Sequence, residues 1–152
     1  MLDAPRSVEY HGYRKGTNPK PLGCPVARIL VIDDDVNIRV FFRQVLKRAG
    51  HEVIEAQDGL EGMRLFRRQR ADLVITDIFM PHKEGLETIR ELKRDFPGIK
   101  IIAITGADVF MGADHVLGMA QAFGAIYVMK KPFNVAMLLD VVERSLNEGE
   151  AA

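Results

Sequence analysis

The sequence predicts an α/β fold, a five-stranded parallel sheet covered by helices on both faces. Three observations carry this. Short, continuously apolar runs such as "RILVI" at 28–32 and "DLVIT" at 72–76 are what a strand buried on both faces requires. Between the runs lie segments with apolar residues at helical spacing. The two kinds of segment alternate five times, at the spacing of right-handed strand–helix–strand crossovers. With five strands, the common solution is the flavodoxin-like, three-layer α/β/α arrangement with strand order 2-1-3-4-5.

The elements follow in order. After "RILVI", the segment 37–50 places Ile38, Phe41, Phe42, Val45, Leu46 and Ala49 on one helical stripe, and Gly50 stops it. "HEVIEA" at 51–56 is a short strand. "GLEGMRLFRRQ" at 59–69 is a helix with Leu60, Met63 and Phe66 expected on one side. "DLVIT" ends at Asp77. "EGLETIRELKRDF" at 84–96 turns Leu86, Ile89, Leu92 and Phe96 inward and stops at Pro97-Gly98. "IKIIAIT" at 99–105 is another buried strand, "DHVLGMAQAFG" at 114–124 a helix and "AIYVMK" at 125–130 the fifth strand. The last helix covers 134–149, with Asn134 as N-cap.

Residues 1–27 differ. They hold four prolines and three glycines, no apolar periodicity and a slight basic excess, which reads as a flexible N-terminal tail. The expected organisation is therefore that tail, one domain over 28–148, and a disordered C-terminus at 149–152. The 152 residues suit one domain with a substantial core. Twenty-one basic and 21 acidic side chains cancel, which removes the electrostatic case for nucleic-acid or anionic-membrane binding. No apolar stretch approaches the roughly 20 residues of a membrane helix. The N-terminus lacks a secretory apolar region, and a single cysteine forms no internal disulfide, so a reducing cytoplasm is the expected location.

In open parallel sheets, ligands bind at the carboxyl ends of the strands. Here those ends carry Asp33, Asp34 and Asp35 after the first strand, Asp77 after the third, Thr105 after the fourth, and Lys130-Lys131-Pro132-Phe133 after the fifth. Clustered carboxylates repel one another and resist desolvation, and a hard divalent cation resolves the conflict. Mg²⁺ prefers oxygen ligands and tolerates a half-open shell that admits a phosphate oxygen. A further Asp and a Lys beside such a metal suit phosphoryl transfer, in which an aspartate can be the nucleophile. Asp35 is expected to open the following helix rather than to bind metal. His51 and His82 read as a strand-start and a loop residue, His11 and His115 lack partners at ligand spacing, and "RLFRRQR" at 64–70 reads as the wet face of a helix.

The set "LVIDDD", "LVITDIFMP" followed by "EG", "IIAITG" and "KKPF" resembles the receiver domain of two-component response regulators, from residue 28 to about 147. The resemblance implies roles position by position. Asp77 matches the phosphoacceptor, and Asp34 the direct Mg²⁺ ligand, with Asp33 its partner acting through water. Phe79 would supply a backbone carbonyl to the metal. Thr105 matches the switch hydroxyl and Gly106 the small residue after it. Lys131 matches the lysine that pairs with a phosphoryl oxygen, and its peptide bond to Pro132 is expected to be cis.

Some positions depart from the pattern. Val128 stands where the family carries an aromatic switch residue, and Tyr127, one earlier, should face the opposite side of the sheet. Glu84 replaces the usual Asp, and the loop containing "GADVFMGADHVL" is about four residues longer than in a typical receiver, as in some bacterial stand-alone receivers.

The implied function is that of a single-domain response regulator. It takes a phosphoryl group from a sensor histidine kinase or phosphotransfer protein onto Asp77 with Mg²⁺. It then either signals through a protein partner at the helix 4–strand 5–helix 5 face or serves as a phosphorelay shuttle. Few residues follow Leu146, so no effector domain is expected, and the chain should be a monomer or weak homodimer rather than an enzyme acting on a separate substrate. A small phosphatase with an Asp nucleophile and a receiver-like module independent of phosphate are the competing readings.

Overall fold

The computed structural model describes residues 26–79, 85–106 and 113–148. The expected tail up to residue 25, Glu84, His11, His82, the long loop at 107–112 and the C-terminal residues 149–152 lie outside them. The described elements are β1 (Arg28–Ile32), α1 (Val36–Arg48), β2 (Glu52–Ala56), α2 (Gly59–Arg68), β3 (Leu73–Asp77), α3 (Gly85–Asp95), β4 (Lys100–Thr105), α4 (Ala113–Ala122), β5 (Tyr127–Lys130) and α5 (Val135–Asn147). All strands pair in parallel in the order β2-β1-β3-β4-β5. Ala27, the last residue of the expected tail, is already buried, and its carbonyl accepts the N–H of Glu52.

Successive strand residues point to opposite faces, and each face has its own core. Leu30, Ile32, Val74, Ile101 and Ala103 pack against Met63 and Phe66 of α2, Ile89 and Leu92 of α3, and Ala120 of α4. Ile29, Val31, Leu73, Ile75, Ile102 and Ile104 pack against Phe42 and Leu46 of α1 and Leu138, Val141 and Val142 of α5. Tyr127 belongs to this second core and Val128 borders the first, as strand alternation requires.

The ends of the helices are chemically specified. Asp35, Asp58 and Asn134 cap α1, α2 and α5, each accepting a backbone N–H from the first turn. Gly50, at φ 91°, ends α1 with a paired return: its N–H bonds the Lys47 carbonyl, and the His51 N–H bonds that of Leu46. One helical expectation needs correction. Leu60 is 60% exposed, because α2 buries the stripe Gly59, Gly62, Met63 and Phe66, and Leu60 lies off that stripe in the first turn.

Candidate functional site: an acidic rim with a lysine

β1 and β3 are adjacent, with Ile32 opposite Thr76, so Asp33 and Asp77 emerge side by side. Both are buried, at 1% and 7% exposure, whereas Asp34 in the turn is exposed. One carboxylate oxygen from each of Asp33, Asp34 and Asp77 lies within 4.8 Å of the others. Lys131 follows β5, reached by the register that sets Thr105 beside Lys130, and the Lys131 N–H bonds the Thr105 carbonyl. The Lys131–Pro132 peptide is cis, as expected.

The two Asp77 oxygens are held by different donors. Lys131 Nζ donates to Oδ2 at 2.8 Å, and the Phe79 backbone N–H donates to Oδ1 at 3.0 Å. Lys131 Nζ also stands 3.5 Å from Asp33 Oδ2, a charge contact longer than a good hydrogen bond. Asp33 Oδ1 accepts the Asp35 N–H at 2.9 Å, but Asp33 Oδ2 is buried with no hydrogen bond. Burial is the main cause that raises the Asp33 carboxyl to about 6, with the Asp77 and Asp34 charges adding to it and the Asp35 N–H and Lys131 opposing. Burial lowers Lys131, yet its hydrogen bond to Asp77 and the charges of Asp77 and Asp33 outweigh that and leave its pKa raised. Thr105 is fully buried at the end of β4, and its hydroxyl donates to the Gly106 carbonyl at 3.2 Å.

The donor set fits a hard divalent cation: three carboxylates converge, and one buried oxygen, Asp33 Oδ2, makes no hydrogen bond. The structure thus brings together Asp33, Asp34, Asp77 and Lys131, with Phe79 attached through its amide, and puts Thr105 opposite Lys130 at the β4–β5 junction, next to Lys131. Asp35 is the N-cap of α1, accepting the Asn37 N–H, as expected. His51 takes the Ala27 N–H on Nδ1 at 3.2 Å, away from the acidic set, and His115 is exposed.

Two neighbours were not legible as site residues. Arg39 donates to the Asp33 carbonyl at 2.8 Å. Gly85 packs so closely on the end of β3 that an added Cβ would lie 2.0 Å from the Asp77 carbonyl oxygen. The "EG" motif was the available signal for Gly85. An arginine in a helix gives no comparable signal.

A family model described as the response regulator receiver domain matches residues 29–143. The chain belongs to the response regulator receiver family. This receiver is 37% identical over 121 residues to the DNA-binding transcriptional regulator NtrC of Azospirillum brasilense, a match covering 80% of this chain and 24% of that protein. It is 27% identical over 119 residues to sporulation initiation phosphotransferase F of Bacillus subtilis, covering 78% of this chain and 93% of that protein. A crystal structure of a response regulator receiver domain protein from Clostridium thermocellum superposes with a TM-score of 0.73 at 32% identity, covering 80% of this chain and 95% of that one. The receiver spans about a quarter of the length of the NtrC proteins it matches. Receivers are phosphoacceptor signalling domains that bind Mg²⁺ at an acidic pocket and take phosphate from histidine kinases or phosphotransfer proteins. No helix among the described residues is long and apolar enough to cross a membrane.

Proposed function

We propose that Asp77 is the phosphoacceptor of a single-domain response regulator. The observation that carries this is the treatment of its carboxylate: one oxygen on the Lys131 ammonium, the other on the Phe79 amide, beside two further carboxylates. Such a group is held in a fixed orientation by two donors, as a nucleophile must be. Asp33 and Asp34, with Asp77 and the Phe79 carbonyl, would hold Mg²⁺. Mg²⁺ when bound would neutralise charge developing on the transferred phosphoryl oxygens.

The phosphoryl donor is a sensor histidine kinase or a phosphotransfer protein. As the Asp77 oxygen bonds to phosphorus, the P–N bond of the phosphohistidine breaks, and the imidazole leaves and takes up a proton. Lys131, released from its direct bond to Asp77, pairs with a phosphoryl oxygen. Thr105 turns its hydroxyl from the Gly106 carbonyl toward the phosphoryl group, which adds charge and strong acceptors. With Val128 in place of the aromatic switch and Tyr127 buried under α5, output at the α4–β5–α5 face proceeds through backbone and packing shifts, not a rotating ring.

The folded receiver at 28–148, flanked by the tail at 1–27 and the last residues 149–152, works as a cytoplasmic monomer or weak homodimer. It acts on a protein partner or as a phosphorelay shuttle, without nucleic-acid or membrane contact. The near-full-length match to a sporulation phosphotransferase supports the single-domain form. The test is intact mass after incubation with Mg²⁺ and a small acyl-phosphate donor. One phosphoryl adduct is expected, absent in Asp77→Asn. No adduct with any donor would sink the proposal, and turnover of unrelated phosphomonoesters would replace it with a phosphatase.

A further inference from the structure

The turn between β1 and α1 carries two of the three carboxylates, and they are held very differently. Asp33 is buried and takes the Asp35 N–H. Asp34 is exposed, and among the described residues no hydrogen bond holds its carboxylate. Its direction is therefore set by the backbone that carries it.

That backbone is gripped from behind. Arg39, in the first turn of α1, reaches back so that one guanidinium nitrogen donates to the Asp33 carbonyl at 2.8 Å. This carbonyl belongs to the peptide joining Asp33 to Asp34, so holding it fixes the plane from which the Asp34 side chain departs. The Arg39 side chain is only 17% exposed, and its Nε lies 3.9 Å from Glu55 Oε1 on β2. The other Glu55 oxygen accepts from Arg43 at 2.8 Å. Glu55 lies opposite Val31 of β1, and Asp33 extends the same ladder by donating to the Ala56 carbonyl. Arg39 thus braces the acidic turn against the edge strand, and Glu55 offsets its charge.

We propose that Arg39 is a positioning residue for the divalent cation: by fixing the Asp33–Asp34 peptide it aims the otherwise unanchored Asp34 carboxylate at the ion. This rests on the reading of Asp33, Asp34 and Asp77 as the Mg²⁺ site. It makes a prediction of definite sign. A guanidinium beside a cation site repels the ion, so if Arg39 acted only through its charge, neutralising it would tighten Mg²⁺ binding. If it acts by positioning, neutralising it weakens binding.

The experiment is calorimetric titration of Mg²⁺ into the full metal-free chain at pH 7.5, comparing wild type with Arg39→Gln. A thermal melt in chelator shows that each protein is folded at the titration temperature. A purely structural brace between α1 and β2 would lower the melting temperature yet leave the affinity of the folded protein unchanged. Positioning predicts an affinity loss of about tenfold or more, the range seen when groups that orient metal ligands are removed. If Arg39→Gln does not fold, Arg39→Lys keeps the charge without the planar fork, and a weaker Mg²⁺ affinity is again expected. Affinity equal to or tighter than wild type in the folded variant overturns the proposal. No Mg²⁺ uptake by wild type overturns the metal-site reading itself, and the proposal with it.

Discussion

Asp33 answers to two competing ions, a proton and the cation. Its carboxyl is lifted to about 6, first by burial and then by the charges of Asp77 and Asp34. Mg²⁺ needs the carboxylate, so affinity should be flat above pH 6 and fall as pH drops below it, by about tenfold per pH unit for one displaced proton. Metal-free stability runs the other way. The folded pKa exceeds the unfolded one, so the unfolded chain gives up this proton first as pH rises. The group's contribution to stability is complete below about pH 4 and is lost as pH rises through about 6. Chemical denaturation in chelator between pH 5 and 7.5 measures it. Asp33→Asn should remove this component and be the more stable protein at pH 7.5. Identical pH profiles for the two proteins would show that Asp33 titrates like an exposed carboxylate.

At the scale of single elements, the junction of β3 with α3 is the tightest place in the site. The Gly85 N–H bonds the Ile78 carbonyl, and a Cβ on Gly85 would meet the Asp77 carbonyl oxygen at 2.0 Å and the Ile78 Cα at 2.6 Å. These are backbone atoms that cannot swing aside. Gly85→Ala should therefore cost about 1–3 kcal/mol, as overpacking does. It should also slow phosphorylation by acyl phosphate, because what moves is the end of β3 that carries Asp77. Gly118 in α4 makes a clean contrast, since nothing lies within 4 Å of its added Cβ. Gly118→Ala should raise stability by about 0.5–1 kcal/mol through helix propensity alone. Denaturant midpoints of the two variants moving in the same direction would contradict this picture.

The same elements show what the sequence made legible. Strand bounds fell within two residues because an apolar run against a turn is a sharp edge, and the rim residues followed from where strands end. Leu60 misled because an apolar residue in a first turn fits a helical stripe without facing the sheet. The Arg39 and Gly85 contacts depend on how α1 and α3 dock, which periodicity does not encode.

For the molecule as a whole, one sheet is the shared wall of two cores. Phe42 of α1 sits in one core and Leu92 of α3 in the other, both essentially fully buried. Their strands alternate between the faces residue by residue, so neither core persists if the sheet parts. Unfolding should then be a single cooperative transition despite the two cores. Phe42→Ala should cost about 3–5 kcal/mol and Leu92→Ala about 2–5 kcal/mol, each leaving a cavity in its own face. Each variant should shift the whole transition. Backbone circular dichroism and the methyl resonances of both faces should report one common midpoint in wild type and in each variant. A variant in which the α1–α5 face outlasts the α2–α3–α4 face would show the faces to be separable. It would also remove the physical basis for transmitting an event at Asp77 to β5. Asp77 stands at the end of β3, and β4 alone separates that strand from β5. On the proposed reading, a sheet that moves as one body would carry the effect of a charge added at the end of β3 to the helix faces on either side.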